Sequence, residues 1–358
     1  MRIYLLSLFI FIFLIKGFSQ DTPSDTLGNK VKYAAIPVVF YLPETKLGFG
    51  AAGIATFRLK SQMGIKPSQI QFAAVYTLKK QLLIFMPYEV YFDQDKTRLF
   101  GEIGYFNYFF NYYGQGVDSK AEDLEIYNAN FPRAIVSALR RVSSKWYVGG
   151  QYIFDNYNIN DVVAGTNVDK ARGSSGGVVS SIGAEILYDG RDQLIYPSKG
   201  SFLNVKSEVS SSITGATYKY QKLELDFRNY TSVTKGHIIA SNVYMGLSFN
   251  EIPFFQQYFI SSGTKLRGFN DRRFQDNNVV LFQTEYRYPI YKRLGGVAFY
   301  GVGTLNNKLE NLLKGPYKQS GGVGLRFTLN KRDLINLRLD YAITDEGGNF
   351  YATVKEAF

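Results

Sequence analysis

The stretch "LFQTEYRYP", Leu281 to Pro289, alternates along its whole length. Phe282, Tyr286 and Tyr288 fall on one side of an extended chain, and Gln283, Glu285 and Arg287 on the other, because side chains two apart share a face of a strand. The same pattern recurs in "GGVGLRFTL", where Val323, Leu325, Phe327 and Leu329 oppose Gly324, Arg326 and Thr328. It recurs again in "YKYQKLELDFRNY" (Tyr218–Tyr230), where Leu223, Leu225 and Phe227 oppose Lys222, Glu224, Asp226 and Arg228. A soluble sandwich would turn the apolar side of such strands to a core. Lipid on the aromatic side and a wet interior on the charged side account for both faces at once. The expected fold is all-β: a 16-stranded antiparallel transmembrane β-barrel with a long surface loop folded inward.

Composition points the same way. The chain has 358 residues, a formal net charge of +11, 28 Tyr and 29 Phe but a single Trp. Mean hydropathy is close to neutral at -0.13. Many rings without overall hydrophobicity is what strands with one lipid face and one wet face produce. The lack of Cys excludes a disulfide framework, thiolate zinc ligation and a lipid anchor on cysteine. The positive balance comes with no nucleic-acid motif. Basic loops against lipopolysaccharide phosphates, or a cation-lined lumen, fit it better.

The opening "MRIYLLSLFIFIFLIKGFSQ" has a basic start at Arg2, an apolar run from Ile3 to Ile15, and small residues at Gly17 and Ser19. That is the plan of a signal peptide over residues 1–19, cleaved before Gln20. The run is too short for an ordinary spanning helix, which needs about 20 apolar residues. A short periplasmic segment is expected over 20–32 and a single barrel domain over 33–358, with no folded module ahead of it. Sixteen strands are read from near 33–41 to near 348–357, among them 97–109, 132–142, 145–157 and 216–231. An even count closes the sheet without an exposed edge. The long connections near 110–131, 158–175, 250–277 and 305–317 all fall on one side of such a barrel, and most of the others are turns.

Several segments resemble those of the BamA/TamA family of outer-membrane assembly and secretion barrels, the bacterial surface antigen family. "ILYDGRDQLIYPSKGSF" (Ile186–Phe202) is similar to its strand-turn motif, with Asp189, Arg191, Asp192, Pro197 and Gly200 at the matching places. "KLRGF" (Lys265–Phe269) resembles its Arg-Gly-Phe loop, "EYRYPI" (Glu285–Ile290) the Glu-x-x-x-Pro strand after it, and "GGVGLRF" (Gly321–Phe327) a Gly-rich strand near the end. "IPVVFYLPETKLGFGAA" (Ile36–Ala52) is similar to first strands of members without periplasmic modules. The resemblance implies a Gram-negative outer-membrane barrel lacking POTRA domains. Such a barrel would aid insertion or translocation of outer-membrane proteins or lipids, with separate periplasmic or lipoprotein subunits. The implied mechanism opens the seam between the first strand, near Tyr33–Tyr41, and the last, near Gly348–Phe358, so that free edges template an incoming strand. A structural or passive-pore barrel, or an accessory subunit, is the alternative; an outer-membrane enzyme comes last.

The loop motif carries the expected site. A connection of about 28 residues rarely stays extended in solvent. Arg267 offers five donors in a planar fork, and Glu285 lies on the polar side of the next strand. Pairing the two would pin the loop inside the lumen, with Gly268 allowing close backbone approach and Phe269 packing on the lining. The family also places an Asp on the following strand to receive the loop arginine; this chain has Gly301 in "FYGVG", so the lock is expected to lack one acceptor. Phe358, the last residue of "NFYATVKEAF", resembles the C-terminal assembly signal of outer-membrane barrels.

Chemistry is not expected. The only His is His237, beside a turn, and no Gly-x-Ser-x-Gly or His-Glu-x-x-His occurs. Asp189, Arg191 and Asp192 read as a turn held by local charge pairs and Asx hydrogen bonds, and Glu224 and Asp226 as a charge-balanced wall beside Lys222 and Arg228. No catalytic residue, metal or cofactor is assigned.

Overall fold

The computed structural model describes residues 31–42, 46–59, 67–163, 166–330, 335–354 and 356–358. The expected signal peptide over 1–19, and residues 20–30 of the segment after it, lie outside the described residues. Sixteen strands form one antiparallel sheet, each paired with its neighbour. The first eight are β1 (Lys32–Leu42), β2 (Lys46–Phe57), β3 (Ser68–Thr77), β4 (Leu82–Phe92), β5 (Thr97–Tyr112), β6 (Glu125–Arg141), β7 (Trp146–Val163) and β8 (Gly177–Asp189). The second half comprises β9 (Gly200–Ser210), β10 (Tyr220–Thr234), β11 (His237–Phe249), β14 (Asn278–Tyr291), β15 (Leu294–Asn306), β16 (Lys318–Asn330), β17 (Ile335–Thr344) and β18 (Gly347–Val354). Two short strands, β12 (Tyr258–Phe259) and β13 (Gln275–Asp276), pair with each other inside the connection from β11 to β14.

The alternation read from the sequence sorts the two faces. Phe282, Tyr286, Tyr300, Val323, Leu325, Phe327 and Tyr341 are exposed, while Glu285, Arg287, Arg326, Arg338 and Asp340 are buried. Apolar side chains outside and ion pairs inside invert the order of a soluble domain and match a lipid-facing wall. Within that wall the sheet ladder satisfies the backbone, which hydrocarbon cannot do. Among the described residues no helix is long and apolar enough to cross a membrane; the strands do the crossing. On β14 the register shifts between Pro289 and Tyr291, where Pro289 has no N–H for the ladder.

The long connections, 113–124, 164–176, 250–277 and 307–317, lie on one side. Two are shorter than the alternation suggested, because β6 begins at Glu125 rather than near 132 and β7 runs on to Val163. The added rungs pair Tyr112 with Glu125 and Phe110 with Tyr127. Their rings meet the inward loop: Tyr112 and Tyr127 lie 5.0 and 4.9 Å from Phe254. This wall rises to meet the loop it supports.

The last strand ends earlier than expected. The sheet starts at β1 and ends at β18, and among the described residues no ladder joins them. β18 has eight residues against 11 in β1, and it stops at Val354 instead of continuing to 357. Glu356 and Phe358 instead engage the interior. Glu356 accepts from Arg326 Nε at 2.6 Å and from Asn336 Nδ2 at 3.1 Å. Phe358 is buried against Tyr230 and Ala240 of β10 and β11, and its main-chain oxygen accepts from Arg287 Nη2 at 3.1 Å.

Candidate functional site

The loop 250–277 returns into the barrel and places Arg267 among buried charges. Arg267 is 1% exposed, and Glu285 and Asp340 are 0% exposed. Its Nη2 lies 2.7 Å from Glu285 Oε1 on β14, and its Nη1 donates to Asp340 Oδ2 on β17 at 2.6 Å. The guanidinium plane rests over Phe299 of β15, 3.6 Å from the ring centroid. One fork therefore bridges two walls of the barrel across an aromatic floor. Each carboxylate has a further cation: Arg287 lies 2.8 Å from Glu285 Oε2, and Arg326 donates to Asp340 Oδ1 at 2.5 Å. Because Arg326 also donates to Glu356, the buried charges form a continuous chain from the loop to residues 356–358. Buried ions are tolerated when paired and hydrogen-bonded in this way.

The structure brings Arg267, Gly268 and Glu285 together. At Gly268 φ is +111°, and an added Cβ would lie 2.6 Å from Thr344 Cγ2, so both conformation and space require glycine. The Gly268 N–H donates to Tyr351 Oη at 2.8 Å, and Asn349 Nδ2 donates to the Gly268 carbonyl at 2.6 Å. Arg338 Nη2 donates to Gly263 O at 2.5 Å. The loop tip is thus fastened to β17 and β18 as well as to β14. Phe269 is buried, but its ring partner is Phe274 of the loop itself, 5.2 Å away edge to face. The two share a small core with Leu266 and with Val279, Leu281 and Leu305 of the wall.

The second acceptor comes from a strand other than the one expected. Gly301 faces the lumen, and an added Cβ there would lie 2.7 Å from Leu266 Cδ2; the loop fills that space with an aliphatic side chain. The missing carboxylate is supplied by Asp340. Room for it is made by Gly324, where a Cβ would fall 2.1 Å from Asp340 Oδ1. Sequence reasoning passed over Asp340, Arg338, Tyr351 and Asn349. In "INLRLDY", Asn336, Arg338 and Asp340 lie on one face against Leu337, Leu339 and Tyr341, and that alternation could have found the acceptor.

The other sequence-singled residues lie elsewhere. Arg191 donates twice to Asp189, at 2.8 Å to each oxygen, and stacks on Phe202 at 4.5 Å. Asp192 accepts from Ser198 N, Lys199 N and Ser198 Oγ at 2.9, 3.2 and 2.5 Å. Partial burial pushes its carboxyl up, but these hydrogen bonds outweigh it and hold the group below the usual range. Pro197 is buried in the same turn. Gly200 has φ +98°, and a Cβ there would lie 2.2 Å from Gly190 O. The turn is held by these local pairs, and its Tyr196 ring lies 5.5 Å from the Arg287 guanidinium, which also pairs with Glu285. His237 Nδ1 meets Tyr286 Oη at 2.6 Å on the outer face. Among the described residues no cluster of three or more His, Asp or Glu could hold a metal.

A loop arginine shared between lumen-facing carboxylates, inside a sheet of this order, can be compared with known proteins. Residues 66–358 match the Omp85 superfamily domain. The chain belongs to the Omp85 superfamily. Solved structures share the Omp85 barrel. BamA from Haemophilus ducreyi lacking POTRA domains 1–3 aligns at a TM-score of 0.61 and 17% identity, covering 92% of this chain and 69% of that one. CdiB from Acinetobacter baumannii aligns at 0.60 and 11%, covering 92% and 60%. CdiB from Escherichia coli aligns at 0.61 and 11%, covering 91% and 61%. At these identities the likeness is one of fold, and this chain spans about three-fifths of each CdiB chain. No curated protein matches. Omp85 membership makes the protein a Gram-negative outer-membrane barrel and not an enzyme.

Proposed function

We propose that this Omp85 barrel aids insertion or translocation of outer-membrane proteins or lipids, together with separate periplasmic or lipoprotein subunits. The observation that carries the reading is the short last strand beside the first: β18 has eight residues against 11 in β1, and Glu356 and Phe358 turn to interior partners instead of lengthening that edge. Strand ends of this kind present N–H and C=O groups that can pair with an incoming strand. The buried Arg267 pairs act in this reading as the lock that holds the loop against β17 and β18, steadying one side of the seam while the other moves. Loop side chains packed into the lumen weigh against a wide passive pore.

The test is a photo-crosslinking residue in growing cells, placed at Ile36 on β1 or at Phe350 on β18, with Tyr152 on β7 as a lipid-facing control; all three are exposed. Light-dependent adducts to other outer-membrane polypeptides or to lipid are expected at the two seam positions above the level at Tyr152. Equal labelling at all three would refute the reading.

A further inference from the structure

Beside the inward loop the lumen keeps an unfilled chamber with two unlike halves. One half is aromatic. Phe85 (β4), Phe106 (β5), Phe131 (β6), Tyr157 (β7) and Phe255 of the loop form a continuous stack across four strands, with centroids 6.1, 5.2, 4.3 and 4.3 Å apart. A cavity of about 330 Å³ opens on the Phe106, Phe131, Tyr157 and Phe255 rings of this stack. The other half is a cavity of about 230 Å³, which shares Arg133, Tyr157, Phe255 and Arg272 with the first.

The second half is cationic. Arg133 is held by Asp155, donating at 2.8 and 3.0 Å. Lys222, Lys265 and Arg272 form no ion pair among the described residues. Lys222 Nζ and Lys265 Nζ donate to the carbonyls of Gln256 and Phe259, at 3.1 and 3.3 Å. Lys265 also lies 4.1 Å from the Tyr244 ring centroid, and the Arg272 guanidinium 5.0 Å from those of Phe110 and Phe259. One carboxylate, Glu224, lines this half. Burial pushes the Lys265 ammonium down to about 8 despite the opposing pull of Glu224 and Asp226. Cation–π contacts recover only part of what desolvation takes from such groups. Glu224 and Asp226 act on Lys265, and Glu208 lies across the ladder from Lys222, yet no carboxylate among the described residues closes to ion-pair distance with Lys222, Lys265 or Arg272, so an acidic group entering the chamber would meet cations not already tied in ion pairs.

We propose that this chamber binds an amphipathic anion, with a single apolar chain against the rings of Phe106, Phe131 and Tyr157 and an acidic head among Arg272, Lys265 and Lys222. The aromatic cavity lies at the small end of the range for ligand pockets, roughly 300–1,000 Å³, which suits one chain rather than two. A phosphate monoester of lipid origin and a free fatty carboxylate both present this chemistry. The site is separate from the seam and does not depend on what passes there.

The test is calorimetry on the full barrel held in amphipol, titrated with octyl phosphate, octanoate, octyl glucoside or inorganic phosphate, each below its micelle concentration. Saturable binding of octyl phosphate or octanoate is expected, with the tighter of the two identifying the head group. Octyl glucoside and inorganic phosphate should each bind about tenfold more weakly or worse, and Arg272→Gln should weaken the preferred anion by about tenfold. Lys265→Gln serves if Arg272→Gln loses the heat-modifiable folded form. Octyl glucoside binding as tightly as either anion, no saturable heat with either anion, or full affinity in a folded variant would overturn the proposal.

Discussion

Leu266 stands where a side chain at position 301 would have to go: a Cβ on Gly301 would lie 2.7 Å from Leu266 Cδ2. The loop and the wall are matched as apolar knob and bare backbone, and a carboxylate at position 301 has no room. Gly301→Asp should therefore destabilise the barrel by about 1–3 kcal/mol through overpacking. Urea unfolding in detergent measures it. Adding Leu266→Ala should recover much of the loss, since the two sites touch. A Gly301→Asp barrel as stable as the native one would contradict this fit.

Removing the loop guanidinium should cost more. Arg267→Ala leaves Glu285 and Asp340 buried with one cation fewer each, a change of about 3–5 kcal/mol for a broken buried pair. The loop between Ile252 and Phe274 should become sensitive to protease in intact cells. Arg267→Lys keeps the charge but cannot reach both carboxylates with a planar fork, so it should fall between the two. Unchanged protease resistance in Arg267→Ala would mean that the loop is held by its apolar core alone.

Tyr351 ties the loop to the last strand through Gly268 N at 2.8 Å and Phe269 O at 3.3 Å. Tyr351→Phe removes both hydrogen bonds, each worth about 1 kcal/mol. Amide exchange in β18 should then speed up several-fold while β6 and β7 stay protected. Equal acceleration in all three strands would indicate global rather than seam-local loosening.

Asp276, in the inner ribbon of the loop, has its carboxyl pushed up to about 6 by burial, against a hydrogen bond from the Asn277 N–H. An unfolded Asp titrates near 3.9. Between about pH 4 and 6 the folded chain holds the extra proton, so its contribution to stability is present below this window and lost as pH rises through it. A shift of about two units corresponds to roughly 3 kcal/mol. Asp276→Asn should flatten the pH dependence of the urea midpoint in that window and stabilise the barrel at pH 8. A variant with the native slope would rule out Asp276 as its source.

Strand positions were largely legible because lipid and lumen impose opposite demands on successive residues, and period two records that directly. "LFQTEYRYP" and "GGVGLRFTL" showed both faces without help from propensity. What the sequence withheld depends on contacts between distant strands. Asp340 could be placed on the lumen side from its neighbours, yet nothing local says that it faces Arg267, 73 residues earlier. The early start of β6 was hidden because Tyr127 and Phe131 resemble loop aromatics until the loop they support is known. The early end of β18 has a similar cause: Phe358 continues the face of Phe350 and Ala352, which hides that Glu356 breaks it, and the partners of the two are Arg326 and Arg287, on other strands.

Phe358 leans on Tyr230 and Ala240, far around the wall from the first strand. The trailing edge of the sheet is therefore moored to the middle of the chain rather than to the leading edge. Parting those two edges would leave that mooring intact, much as a door leaf swings from a fixed post. Reclosing would need no search by the final residues, because they would never have left their berth.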